Sequence, residues 1–398
     1  MNERLDAPIE YRMGRITRYA FMFLMAVFTV GGLAFASMPL WSAEFRKPAI
    51  LWISLITGLG LAAFMAYGWF YFRNYLWSAY PDRLQIAGAF STRIVRFADY
   101  EGFRTYSHQG TTYMKFIPRP GAGKKLRYGL NMRDKERLLD GLRTALVDLD
   151  LKDAERDLEK VLADKTLGAD PRQRAIRLER ARKAVKALSA LSMAVSLWAF
   201  FFPRPYEAAL WGLMIVPFLA IAYGRFFPGL VRFDAPKKGV YPSVGIPIFI
   251  PVIMLAFRAF LDWNMLEWSS FWTSFAVVSV VFAGTLMMQF PEIRRKPSFA
   301  ALALFLGAAF GYGASIGLNG ILDRGIPKAY RAAVKGKRVS HGKHTSYYLE
   351  LSPWGPRTEA KDVDVSGRLY EAARVGDSVD VLVQPGALGI PWFFLRMR

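Results

Sequence analysis

The sequence of 398 residues contains no cysteine and only three histidines. Without cysteine there is no disulfide framework, no thiolate ligand for zinc or an iron–sulfur cluster, and no thiol nucleophile. Acidic residues are also scarce: 32 Asp and Glu stand against 53 Lys and Arg, for a formal charge of +21. Two long stretches, 19–41 and 49–72, have no charged residue at all. What is abundant is apolar: 53% of the chain is hydrophobic and 15% is Phe, Trp or Tyr. That excludes a disordered basic tail, which would be poor in aromatics. Apolar and basic character coexist when they are segregated, with apolar segments in a bilayer and basic segments beside it.

A bilayer core asks for about 20 predominantly apolar residues per helix. Seven stretches answer: 19–41, 49–72, 187–202, 208–224, 244–261, 271–290 and 299–321. The run from Tyr19 to Trp41 exceeds the about 7–15 residues of a cleavable signal core, so it reads as an uncleaved span. Trp41, Trp69, Trp211, Trp263, Trp268 and Trp272 fall near span ends, where interfacial belts place them.

Lys and Arg next to span ends set orientation. Arg4, Arg12, Arg15 and Arg18 put the N-terminus in the cytoplasm, along with residues 73–186. So do Arg225, Arg232, Lys237 and Lys238 for one loop, and Arg294, Arg295 and Lys296 for another. Segments 42–48, 203–207 and 262–270 then face outward. Seven spans put the C-terminus outside. Arg324, Lys328, Arg331, Lys335, Lys337 and Arg338 oppose this from just beyond the last span. Seven spans is the expectation, and six or eight the alternative.

Five domains follow: 1–72 with the membrane hairpin, an insert at 73–150, a charged helical linker at 151–186, a five-span region at 187–321, and a C-terminal unit at 327–398. In the insert, strands are expected at 82–88, 92–97, 103–108, 111–117 and 125–130, with Gln109-Gly110 as a turn. A helix starts after Asn131, its N-cap, with Leu138, Leu142 and Leu146 on one face. The opening strand Asp82-Arg-Leu…Gly88, the segment Arg93-Ile-Val-Arg-Phe-Ala-Asp-Tyr-Glu101 and this closing helix resemble bacterial PH-like domains that follow a pair of membrane helices. The resemblance implies a cytoplasmic β+α fold and the binding of anionic headgroups or protein partners, without catalysis. It is also the basis for a bacterial inner-membrane location.

Arg93, Arg96, Arg119, Lys124, Lys125 and Arg127 could gather around two loops as contacts for anionic lipid, or be ordinary positive-inside bias. Gly121-Ala-Gly-Lys-Lys125 is no phosphate loop, because Lys125 stands where Ser or Thr is needed and Pro118 where the first Gly is needed. After a break at Gly168–Pro171, the stretch 172–186 carries seven Lys and Arg, among them Arg172, Arg174, Arg177 and Arg180. This is a basic juxtamembrane helix suited to anionic lipid. The adjoining span accounts for its charge, so no nucleic-acid partner is expected.

Pro242, Pro247 and Pro251 mark either a kink or a broken transport helix in the fifth span. Gly307, Gly311, Gly313 and Gly317 in the last span permit close helix packing, within the chain or between copies. Arg258 is the one ionisable residue within the span cores, near an outer end where it can snorkel. The C-terminal unit shows strands at 329–339, 345–352, 358–365, 378–384 and 391–395, pointing to a small β-barrel or sandwich of OB-like type. Its pattern Val375-Gly-Asp-Ser-Val-Asp-Val…Pro385-Gly-Ala-Leu-Gly389 resembles small β-domains of bacterial membrane proteins, which implies no chemistry. His341 and His344 are too few to hold a metal and read as a hairpin loop. No cofactor, metal or catalytic set is expected. The reading is a polytopic α-helical, non-enzymatic membrane scaffold, sensor or assembly component. Its expected partners are membrane lipids with protein partners or a second copy; a transporter or lipid-handling protein is the alternative.

Overall fold

The computed structural model describes residues 8–108, 110–130, 132, 134–235, 239–341 and 345–397. Arg4, Gln109, Asn131, Lys237, Lys238, Gly342, Lys343 and His344, on which expectations were placed, lie outside the described residues. The chain divides into two compact units, Met1–Leu158 and Glu159–Arg398. Among the described residues, seven helices are long and apolar enough to cross a membrane, the number expected.

The first unit begins with a short strand, β1 (Ile9–Tyr11), and two helices, α1 (Arg15–Trp41) and α2 (Pro48–Asn74). The helices meet through small residues. A Cβ on Gly32 would stand 2.8 Å from the Gly58 carbonyl, and one on Gly58 would stand 2.6 Å from the Gly32 carbonyl. Ala36 and Ala62, one turn further along each helix, are buried beside them. Such backbone contact gives dispersion attraction where lipid supplies no hydrophobic drive. Arg18 of α1 donates to the carbonyls of Phe72 and Arg73, at 3.1 and 2.5 Å, and so satisfies the open end of α2.

Strands β2 (Leu76–Ala79), β3 (Arg83–Ala87) and β4 (Thr92–Arg96) follow. They form an antiparallel sheet in the order β1-β2-β3-β4. The edge strand β1 comes from upstream of the membrane hairpin, which was not expected: Ile9 pairs with Ala79 and Tyr11 with Trp77. A second antiparallel sheet joins β5 (Tyr100–His108), β6 (Thr111–Pro118) and β7 (Leu126–Gly129). Helix α3 (Lys135–Ala145) closes the unit. Alternate residues of both sheets point inward as period 2 requires, so Trp77, Leu84, Phe103, Met114 and Phe116 are buried against Leu138 and Leu142. Leu146, the third expected leucine, is buried just past the end of α3. Helix α4 (Leu149–Ala163) leads out of this unit.

The second unit holds α5 (Pro171–Phe201), α6 (Tyr206–Phe226), α7 (Gly245–Asp262), the short β8 (Asn264–Met265), α8 (Phe271–Gln289), α9 (Pro291–Arg295) and α10 (Pro297–Ile321). Helix α5 crosses residue 186, where the linker was expected to feed into the third span. The basic stretch and the span form one continuous helix of 31 residues. Pro171 occupies its first turn, and the Asp170 carboxylate accepts from the Gln173 backbone N–H at 2.8 Å. Helix α7 runs unbroken through Pro247 and Pro251, with Pro242 ahead of it, so of the two readings the broken helix is the one not met.

The last element group is β9 (Lys328–His341), β10 (Thr345–Leu351), β11 (Lys361–Val365), α11 (Gly367–Ala372), β12 (Ser378–Gln384) and β13 (Trp392–Met397). The sheet is antiparallel in the order β11-β10-β9-β12-β13-β8. Long β9 pairs with β12 over its first half and with β10 over its second. Changing partners along one strand curls the sheet around a core of Val334, Leu349, Val379, Val381 and Phe393. The sixth strand, β8, is contributed by the α7–α8 loop: Trp392 pairs with Met265 and Phe393 with Asn264.

Candidate functional site

The C-terminal sheet is fixed to the helices by more than β8. Asn319, fully buried in the last turn of α10, donates Nδ2 to the Ile390 carbonyl at 2.9 Å. Its Oδ1 accepts from the N–H groups of Leu388 and Ile390, at 3.0 and 3.3 Å. The backbone joins in, with Ala387 N–H donating to the Asn319 carbonyl at 3.0 Å. One helical turn on, Asp323 accepts from Gly386 N–H at 2.8 Å and from the Trp392 indole at 3.1 Å. Gly386 has φ +77°, and a Cβ there would collide with the Asn319 carboxamide. A side chain at 386 is therefore excluded by both backbone conformation and space.

Trp263 completes the junction. It packs on Gly320, and its ring meets Trp392 at 4.6 Å between centroids. Its indole donates to the Tyr206 hydroxyl at 3.1 Å, and Tyr206 in turn donates to Asp262 at 2.6 Å. Arg258 pairs with the same carboxylate at 2.7 Å. Arg258 thus reaches toward the end of α7, where it finds a carboxylate partner. Its side chain is only 15% exposed, because Asp262 one turn away gives it a partner inside the helix bundle. Trp263 was assigned to an interfacial belt, yet it is a packing and hydrogen-bonding element.

The basic residues of the first unit are spread over several elements. Arg93 and Arg96 sit three apart on β4 and so point to opposite faces. Arg96 lies directly opposite Arg83. Arg119 ties its loop down, donating Nε to the Tyr100 carbonyl at 3.2 Å, and the Tyr100 hydroxyl donates to the Lys124 carbonyl at 3.2 Å. Only Lys125 and Arg127 join a cluster, with two residues the sequence reading did not select. Arg104, Lys115 and Arg127 form one row across β5, β6 and β7. Lys125 beside it pushes the Lys115 ammonium below its ordinary value. Arg104 is balanced by Asp150 at 3.0 Å and Asp153 at 2.6 Å, and Arg127 stacks over Tyr113 at 4.4 Å.

On α5, Arg172 and Arg180 are exposed and Arg177 is half-buried. Arg174 is withdrawn from lipid: it is buried and donates to the carbonyls of Leu162, Gly168 (2.9 Å) and Ala169 (3.1 Å). Three open carbonyls, one in the last turn of α4 and two in the turn leading to α5, explain its position better than a headgroup does. The four glycines of α10 face other helices of the same chain. Gly307 and Gly311 lie on α8, at Ala283 and Ser279; Gly313 lies on α7 at Leu255, and Gly317 on α6 at Met214.

A cavity of about 980 Å3 opens at the end of the helices where α5 turns from basic to apolar. Arg182 and Lys186 of α5 form one wall, Tyr241 and Asp234 the mouth, and Ile246 and Phe249 of α7 with Phe299 and Leu302 of α10 the rest. Arg182 holds the mouth in place, donating Nε to the Val240 carbonyl at 3.0 Å. Arg232 stacks on Tyr241 at 3.5 Å. The sequence signal was available in principle: Lys186 is the last charge before fifteen uncharged residues of α5.

Among the described residues, no group of His, Asp and Glu has the arrangement of a metal site. His341 ends β9 on the surface. Comparison with family models, with curated proteins and with solved structures returned no match.

Proposed function

We propose that the chain is a non-enzymatic scaffold or assembly component of a bacterial inner membrane. In this reading its N-terminus and first β-unit are cytoplasmic, and its C-terminal β-domain is periplasmic. One observation carries it: the Asn319 and Asp323 contacts, with β8, make the C-terminal sheet a rigid continuation of the helices rather than a tethered module. A rigid mount suits presentation of a binding surface at fixed height and orientation. Two antiparallel sheets closed by α3 support the PH-like reading of the first unit, and the curled six-stranded sheet supports a small barrel of OB-like type. Both are binding modules by that reading, with protein partners or a second copy of the chain as ligands. The test is in-cell crosslinking from exposed positions of β10 and α11, followed by purification in detergent. Specific heterologous or self adducts support the scaffold reading. Uncrosslinked monomer from every position sinks it.

A lipid-handling role is the second reading, favoured by the cavity beside Arg182 and Lys186. Transport through the helix bundle draws no support from Arg258 and Asp262, which neutralise each other near the end of α7.

A further inference from the structure

The cavity beside α5 combines three properties. Its position is fixed by the sequence of α5: Arg182 and Lys186 lie one turn apart on one face, and only uncharged residues follow to Phe201. That junction is where a bilayer places phosphate groups above acyl chains. Its walls are apolar and open, with Ile246 at 55% and Phe249 at 42% exposure. Its volume of about 980 Å3 matches the upper end of the about 300–1,000 Å3 typical of ligand pockets.

Charge selects the occupant. Among the described residues, neither Arg182 nor Lys186 has an ion-pair partner. Arg182 uses its Nε on the Val240 carbonyl, which leaves the two terminal nitrogens of the guanidinium for a ligand. Among the described residues the lining carries these two cations against one carboxylate, Asp234, and Arg232 stacked on Tyr241 adds a further cation beside it, so the site is net positive. A net positive site favours an anionic lipid over a zwitterionic one.

We propose that this cavity holds one anionic glycerophospholipid, its phosphodiester on Arg182 and Lys186 and an acyl chain along Ile246, Phe249 and Leu302. This deepens the lipid-handling reading, from which it takes only the premise that this end of the helices lies at a membrane surface. A bound lipid is equally compatible with a scaffold, for which it would be a fixed component.

The test uses the full chain in nanodiscs of phosphatidylcholine containing a minor fraction of phosphatidylglycerol. Gentle transfer to detergent and native mass spectrometry then read which lipid stays bound. One phosphatidylglycerol is expected to be retained in preference to phosphatidylcholine. Lys186→Gln should lower that retention about fivefold, the factor equivalent to about 1 kcal/mol per basic group. Lys183→Gln, a neighbouring exposed lysine paired with Glu179, should leave it unchanged. Leu302→Trp, which fills the acyl side and leaves charge alone, should abolish retention. Equal retention of the two lipids, or equal losses in the Lys183 and Lys186 variants, overturns the proposal. Retention that survives both Lys186→Gln and Leu302→Trp also overturns it. Retention of phosphatidylglycerol without any transfer of lipid between vesicles upholds this site and sinks the lipid-handling reading.

Discussion

Asn319 donates its carboxamide to the carbonyl of Ile390, 71 residues further along the chain, at 2.9 Å and out of contact with water. The same side chain accepts from two backbone N–H groups of the 386–390 loop. Asn319→Leu would therefore strand buried backbone groups, each costing about 1–3 kcal/mol. Faster amide exchange in β13 and β8, with the helices unaffected, is the expected outcome. Unchanged exchange there would show that the Asn319 carboxamide is dispensable beside β8 and the Asp323 contacts.

Gly32 and Gly58 bring α1 and α2 into backbone contact. Gly32→Leu or Gly58→Leu must force the helices apart, at about 1–3 kcal/mol for overpacking. Each should lower the thermal midpoint of the detergent-solubilised chain, while Gly31→Leu, whose Cβ meets nothing within 4 Å, should not.

Arg174 closes the turn between α4 and α5. Arg174→Gln is expected to increase proteolysis between residues 163 and 171 without changing binding to phosphatidylglycerol vesicles. Arg172→Gln with Arg180→Gln should do the reverse, weakening vesicle binding about 25-fold at about 1 kcal/mol per charge.

The Arg104 hydrogen bond holds the Asp153 carboxyl below its ordinary value, against the opposing effect of burial. A depressed carboxylate pKa gives stability that is present above about pH 4, the unfolded value, and is lost as pH falls through the folded one. The pair is partly exposed, so its worth is about 0.2–1 kcal/mol. The stability difference between wild type and Arg104→Gln should shrink on acidification from about pH 6 to about pH 3. A difference that grows would contradict the assignment.

The membrane helices were legible because apolar length is a local property, and all seven expected spans have a helix. Strand positions after residue 328 were legible for the same reason, through alternation. What escaped the sequence depends on distant partners. Three residues of β1 acquire meaning only from β2, more than sixty residues later. Two residues of β8 complete a sheet whose other strands start at 328. Asn319 looks like one polar residue at the end of a glycine-rich span until the 386–390 loop is laid on it. The basic residues misled because charge counts ignore strand parity, which separates Arg93 from Arg96, and ignore nearby carbonyls, which claim Arg174.

The proposal most in need of a test is that the C-terminal sheet lies on the side of the membrane opposite the N-terminus. The absence of cysteine makes single-cysteine labelling direct. Cysteine replaces exposed Glu371 on α11, Arg294 on α9 or Ser91 before β4 in three separate variants, and intact cells receive a membrane-impermeant maleimide. The account predicts labelling at 371 in intact cells, and at 294 and 91 only after lysis. Protection of 371 until lysis would contradict it.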